Sequence, residues 1–317
     1  MTVDLAIATY GLTKQFDRQI AVNDVELAIR PGEVYGLIGP NGAGKTTLIR
    51  MLATIEEPSA GEIYLAGERL RPGRDNRRLK QHLGYLPDDY PLYDDLTVWD
   101  YLDYFARLYR LRSPQRQRRL HEVLDLVQLS SKRYSNIATL SRGMKQRLSL
   151  ARTILHEPIV LLLDEPVSGL DPLARQQFRQ IIKVLKEAGM TVLISSHVLS
   201  DLAELCTTIG IMELGCLVES APLPELYARL ARPYLVIGTL AADNAILESE
   251  LRRCPQVQGW EALSEAQTWR VAFDGTEAEA SALLQALVQA GVAMVQFRYE
   301  RDDLEQIFLS LGHQQAS

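Results

Sequence analysis

Residues Gly39 to Thr47 read GPNGAGKTT, which has the form G-x-x-x-x-G-K-[ST]. The apolar run Val34 to Ile38 before it has the length and character of the buried strand such a loop follows. The chemistry of this pattern is phosphate capture. Gly39, Asn41, Gly42, Ala43 and Gly44 let successive backbone N–H groups curl around phosphate oxygens, and the start of the next helix adds its dipole. Lys45 reaches the β and γ phosphates, the Thr46 hydroxyl is placed to bind Mg²⁺, and Thr47 closes the loop. A chain with this loop binds a nucleoside triphosphate.

Further residues with matching chemistry lie downstream. In LLLDEP, Asp164 and Glu165 stand at the carboxyl end of an apolar strand, where ligands sit in open α/β sheets. Adjacent side chains point opposite ways there, so two roles are available. Asp164 can hold Mg²⁺ directly or through water, and Glu165 can polarise the attacking water as a general base. His197 follows the next apolar strand and emerges on the same edge, within reach of a γ phosphate or the water beside it. In LSRGMKQRLSLARTIL, Ser141 caps a long helix whose first turn includes Gly143, which makes a second anion site.

The elements that must position these residues are legible as period changes. Val25 to Ile29, Val34 to Ile38 and Glu62 to Leu65 read as strands separated by Pro31-Gly32 and Ser59-Ala60-Gly61 turns. From Pro91 to about Tyr134 the spacing turns helical, with Val98, Leu102, Phe105, Leu108 and Tyr109, then Leu120, Val123, Leu124 and Val127. The runs Ile159 to Leu163 and Thr191 to Ser195 are apolar enough for central parallel strands, each preceded by a helix. The expected fold is an α/β P-loop NTPase core carrying a helical subdomain at about 89–140, within a domain at 1–222. Residues 233–317 form a second, accessory domain. Its order is strand (Tyr234 to Leu240), helix (Asn244 to Arg252), strand (Gln256 to Ala262), strand (Thr268 to Phe273), helix (Thr276 to Gln289) and strand (Val292 to Tyr299). That βαββαβ order suggests a small ferredoxin-like α+β domain.

Length and composition bound the rest. At 317 residues the chain accommodates two domains, and 47% hydrophobic with 23% charged residues is ordinary globular composition. No run approaches the eighteen apolar residues of a membrane span, and the N-terminal MTVDLAIATYG lacks an export signal, so the cytoplasm is the expected address. Cys206, Cys216 and Cys254 form no C-x-x-C pair and fit reduced thiols. A net charge of −6 opposes nonspecific nucleic-acid binding. Two basic clusters run against it, Arg69 to Lys80 and Arg107 to Arg119, as a solvated face or a membrane-facing or partner-facing patch.

From about Tyr10 to Ser220 the chain resembles the nucleotide-binding subunit of an ATP-binding cassette transporter. The motifs stand in the family's order: the loop at Gly39, the signature at Leu140, the acids Asp164 and Glu165, the SGLD turn from Ser168 to Asp171, and His197. The resemblance implies Lys45, Glu165 and His197 as catalytic residues and Thr46, Asp164 and Asp88 at Mg²⁺. It also implies an aromatic stacked on adenine, for which Phe16 is preferred to Tyr10. Two departures stand out. The signature reads LSRGM rather than LSGGQ, so Arg142 and Met144 replace a glycine and a glutamine. In GYLPDD, Asp88 occupies the place of the usual glutamine.

The family further implies a head-to-tail homodimer in which Ser141 and Gly143 of one copy meet the ATP of the other. It implies a separate integral membrane permease, docked between helical insert and core and lined by the loop from Asp88 to Asp95. The chain would then lie on the inner face of the cell membrane through that permease. One cassette, LSRGM and the segment DLEQIFLSL from Asp303 to Leu311 resemble bacterial exporter subunits. The rival is a soluble cassette ATPase acting on ribosomes or DNA, disfavoured by a single cassette and a short insert.

Overall fold

The computed structural model describes residues 5–301 apart from 72, 74, 75, 90, 199–201, 203, 231, 241–244 and 264–266. The segment Asp303 to Leu311 and the start of the helix expected at Asn244 lie outside them. The chain divides at Leu223/Pro224 into two compact units.

In the first unit, strands β1 (Ile7–Phe16), β2 (Gln19–Ile29), β4 (Ala60–Leu65) and β5 (Glu68–Arg69) form an antiparallel sheet in the order β2-β1-β4-β5. A six-stranded sheet comprises β3 (Val34–Ile38), β6 (Leu83–Leu86), β7 (Val160–Leu163), β8 (Thr191–Ser196), β9 (Thr208–Glu213) and β10 (Cys216–Pro222). Its order is β10-β9-β3-β8-β7-β6, parallel from β9 to β6 with β10 an antiparallel edge. Every residue of β3, β7 and β8 is buried. Their near-continuous apolar runs, VYGLI, VLLL and TVLISS, are what strands covered on both faces require. One core joins the two sheets, with Ile7, Leu12, Val25 and Ile29 packed in the same cluster as Leu37, Leu48, Ile49 and Leu162. Truncating one such residue to alanine costs roughly 2–5 kcal/mol.

Helix α1 (Lys45–Leu52) follows β3, and the short α2 (Arg77–Gln81) precedes β6. The expected helical insert contains α3 (Val98–Leu108) and α4 (Gln115–Leu126), then two 3₁₀ turns ending at Thr139. Thr97 starts α3 by accepting the Asp100 N–H, and Val98, Tyr101, Leu102 and Ala106 form its buried stripe. Helix α5 (Arg142–Ile154) leads to β7, and α6 (Pro172–Glu187) leads to β8. Asp171 caps α6 by accepting the Ala174 N–H, with Pro172 at its first position.

The second unit contains α7 (Leu223–Leu230), β11 (Pro233–Thr239), α8 (Ala245–Arg253), β12 (Val257–Ala262), β13 (Thr268–Phe273), α9 (Glu277–Gln289) and β14 (Met294–Arg301). Its strands form an antiparallel sheet in the order β12-β13-β11-β14. Leu235, Ile237, Val271 and Phe273 on one sheet face pack against Leu247, Leu251, Leu283 and Leu287 of the helices. A capping box starts α9, with Thr276 and Glu279 bonding each other's backbone N–H.

Candidate active site

Four neighbouring parallel strands end at one edge of the six-stranded sheet. Leu86 pairs with Leu163, Leu163 with Ile194, and Ile38 with Ser196. The residues just beyond these ends therefore leave the sheet side by side: Gly39 after β3, His197 after β8, Asp164 and Glu165 after β7, and Asp88 two residues past β6. In an open parallel sheet this carboxyl edge is where ligands bind.

A cavity of about 520 Å³ lies there. Asn41, Gly42, Ala43, Gly44, Lys45, Thr46 and Thr47 form one wall, with Asp88, Glu165, Ser168 and His197 opposite. Gly44 stands at the N-cap of α1 at φ 99° and offers no side-chain cap, so an anion is the fitting partner for the helix start. A Cβ on Gly44 would stand 2.3 Å from the Ala21 carbonyl oxygen, and one on Gly39 would stand 2.2 Å from that of Met212.

Lys45 is nearly buried. Its Nζ donates to the carbonyls of Gly39 at 2.7 Å and Pro40 at 3.2 Å, and pairs with Glu165 Oε1 at 3.5 Å. The other oxygen of Glu165 meets His197 Nδ1 at 2.6 Å. Glu165 takes φ 48°, a left-handed conformation that is costly for a residue with a side chain. Asp164 points the other way and is 1% exposed. Its Oδ1 accepts from Thr46 Oγ1 at 3.2 Å and from Ser195 Oγ at 2.8 Å. Burial raises the Asp164 carboxyl above its ordinary value, and the Ser195 and Thr46 hydroxyls oppose that rise. Asp88 is raised as well, by burial first and then by the Glu165 carboxylate, against the lowering effect of Arg142.

Phe16 lines the cavity, with Lys14 Nζ 4.7 Å from its ring centre. Tyr10 does not line it and packs edge-on against Tyr64. Gln19 and Ala21, from the same hairpin, also reach the wall.

Ser141 and Gly143 stand outside the residues that line this cavity. Ser141 caps α5 by accepting the Met144 N–H at 3.3 Å, and Gly143 lies so close to Ala174 that a Cβ would meet it at 2.7 Å. Arg142 donates to the Ser168 carbonyl at 3.1 Å, and its guanidinium lies against Gly169. Sequence reasoning missed Ser195. Its hydroxyl donates to Asp164 and accepts the Glu165 N–H at 2.9 Å, joining the two acids' positions. Two serines ending the apolar run TVLISS were the available signal, since a buried hydroxyl needs partners.

The model of the family described as ABC transporter matches residues 22–168. An ABC transporter ATP-binding protein of Bacillus subtilis strain 168, YcbN, is 36% identical over 311 residues, covering 96% of each chain. The bacitracin transport ATP-binding protein BcrA of Bacillus licheniformis is 31% identical over 306 residues, again 96% of each. Among solved structures, an ATP-binding subunit of an ABC transporter superposes with a TM-score of 0.63 at 30% identity, covering 71% of this chain and 92% of that one. The chain belongs to the ATP-binding subunits of ABC transporters, and it is an ATPase that energises transport.

Proposed function

We propose that this subunit powers an exporter by hydrolysing Mg²⁺-bound ATP at two composite sites of a head-to-tail homodimer. The carrying observation is the division of the anion-binding groups. Lys45, Glu165 and His197 converge on one cavity while the Ser141 helix start opens elsewhere, so one chain offers two half-sites. A second copy related by a two-fold axis completes both at once. In this reading the Gly39–Thr47 loop and Lys45 hold the triphosphate and Phe16 stacks on adenine. Glu165 activates the attacking water, His197 orients Glu165 and the γ phosphate, and Ser141 with Gly143 of the partner closes the site.

The Thr46 hydroxyl and the Asp164 carboxylate, 3.2 Å apart, are hard oxygen donors that suit Mg²⁺. Asp88 lines the same cavity as a third oxygen donor. The ion would supply charge stabilisation at the transferring phosphate.

Among the described residues no helix is long and apolar enough to cross a membrane, so transport needs a separate permease. The loop from Asp88 to Asp95 and the aromatic face of α3 suit its docking. Tyr93 packs on Tyr101, Tyr104 and Phe105, and Lys145 ties Asp94 to α5 at 2.9 Å. In this reading the subunit lies on the inner face of the membrane through that permease. The relative named for bacitracin transport supports the exporter reading. The division at Leu223/Pro224 supports two domains near the limits 1–222 and 233–317, with the second unit beginning at Pro224, and the order β12-β13-β11-β14 supports a ferredoxin-like accessory domain.

The test is Glu165→Gln. It should lower turnover by about 10²–10⁴ and, with ATP and Mg²⁺, double the mass in light scattering. A monomer with unchanged turnover refutes the assignment.

A further inference from the structure

The stretch from Tyr104 to His121 contains six arginines and no acid, in a chain of net charge −6. It forms the end of α3, the connection, and most of α4. Three carboxylates lie within ion-pair range of it. Asp103 pairs with Arg107 at 2.7 Å and Arg116 at 2.8 Å, while Glu122 pairs with Arg118 at 3.1 Å and Arg119 at 3.3 Å. Glu157 also pairs with Arg119, at 3.5 Å. Six arginines against three carboxylates leave this corner at about +3. Arg110 and Arg112 are both exposed and make no ion pair among the described residues.

The same corner exposes apolar surface next to that charge. Tyr104 is 46% exposed, Leu108 58% and Tyr109 42%. Tyr104 and Leu108 are one helical turn apart on α3, so they share a face. That face is continuous with Tyr93, whose ring stands 6.1 Å from that of Tyr104. Amphipathic aromatic rings beside unpaired arginines are the composition that settles at the headgroup level of a bilayer.

We propose that the α3–α4 corner rests on an anionic phospholipid surface, with Arg110 and Arg112 at the headgroups and Leu108 and Tyr109 in the interface beside them. The proposal rests on the permease-docking reading only for its orientation, because the Tyr93 loop that would face the permease continues into this corner. An anionic bilayer complements both the charge and the exposed rings, whereas an acidic partner segment would use the arginines alone.

The backbone supplies a clean variant. Arg110 follows the end of α3 at φ 61°, a left-handed position that favours glycine. Arg110→Gly therefore removes a charge while relieving the backbone, and lost binding cannot come from lost folding. Each arginine near an anionic surface is worth about 1 kcal/mol, or roughly fivefold. The full-length chain should co-sediment with vesicles of phosphatidylcholine and phosphatidylglycerol in equal parts and not with phosphatidylcholine alone. Arg110→Gly with Arg112→Gln should lower the partition about 25-fold without changing ATPase activity. Raising salt from about 0.1 M to about 1 M should release the protein, as the screening length falls from roughly 10 Å to 3 Å.

Equal binding to both vesicle types overturns the proposal, and so does an unchanged partition in the double variant. Loss of the copurifying permease without any vesicle effect assigns the arginines to an acidic partner segment and overturns it equally. Because the vesicles contain no permease, failure here leaves the permease reading intact, and that reading is judged by copurification of the wild-type chain.

Discussion

Replacing Ser195 with alanine removes one hydroxyl that serves both acids. The hydroxyl donates to the buried Asp164 carboxylate at 2.8 Å and accepts the Glu165 N–H at 2.9 Å. A hydrogen bond to a charged group is worth about 1.5–3 kcal/mol, and an amide left unpaired adds about 1–3 kcal/mol when buried. The Glu165 amide is only part-buried, so the lower ends apply and the loss is about 2.5 kcal/mol. For a unit of this size, that is a fall of about 5–10 °C in the calorimetric transition of the nucleotide-free chain. The Gly39–Thr47 loop is untouched, so ATP affinity should hold. If about 1.4 kcal/mol of the loss is felt in the transition state, kcat falls about tenfold. A double-mutant cycle isolates the cause. With Asp164→Asn the bond becomes neutral to neutral and weaker, so Ser195→Ala should cost about 1 kcal/mol less in that background. Additive single effects, or a shift below about 2 °C, would refute a role for Ser195 in holding a charged Asp164.

Two further outcomes follow from the same geometry. Gly44→Ala sets a Cβ 2.3 Å from the Ala21 carbonyl at φ 99°, whereas Gly42→Ala at φ 85° meets nothing within 4 Å. The Gly42 variant should lose about 1–2 kcal/mol from backbone strain, and the Gly44 variant more than that together with its ATP binding, read by nucleotide fluorescence titration. Burial raises the Asp164 carboxyl, so the folded chain holds that proton more tightly than the unfolded chain. Stability from this group is therefore full below the ordinary carboxylate range and declines as pH rises through it to the raised value. Asp164→Asn should accordingly raise the nucleotide-free Tm at neutral pH, leave it unchanged near pH 3, and abolish the further rise given by ATP with Mg²⁺.

The strands and loops that hold the site were legible where burial imposes a single pattern. β3, β7 and β8 are covered on both faces, so their apolar runs stood out, and the Gly39 loop sat between a recognisable strand and helix. Strands β1, β5, β6, β9 and β10 were missed, β5 because it has only two residues and the others for local reasons. β1 shifts register between Thr9 and Leu12 and again before Lys14, which breaks its alternation, and β6 has only four residues. The β9–β10 hairpin turns on Leu214 and Gly215 at φ 47° and 85°, a two-residue turn of the kind usually announced by Asn-Gly. Leucine in the first turn position hid it. Ser195 was missed because its role depends on β7 and β8 being neighbours, and strand order is not written in local spacing.

The ion pairs in the cavity imply an order of events under the proposed roles. Lys45 lies between two carbonyls and Glu165, so its charge is satisfied within the protein. Glu165 is thereby held by two groups, Lys45 on one oxygen and His197 on the other. A triphosphate entering the loop offers Lys45 several anionic oxygens at once, against two neutral carbonyls and a single carboxylate oxygen at 3.5 Å. Glu165 then keeps only His197, and its freed oxygen becomes available to a water beside the γ phosphate. Two carboxylates, Asp88 and Glu165, face that incoming negative charge, and burial and Glu165 raise the Asp88 carboxyl above its ordinary value, against the lowering effect of Arg142 and His197. Under the proposed roles, Lys45 is thus the group that a bound triphosphate shares with Glu165.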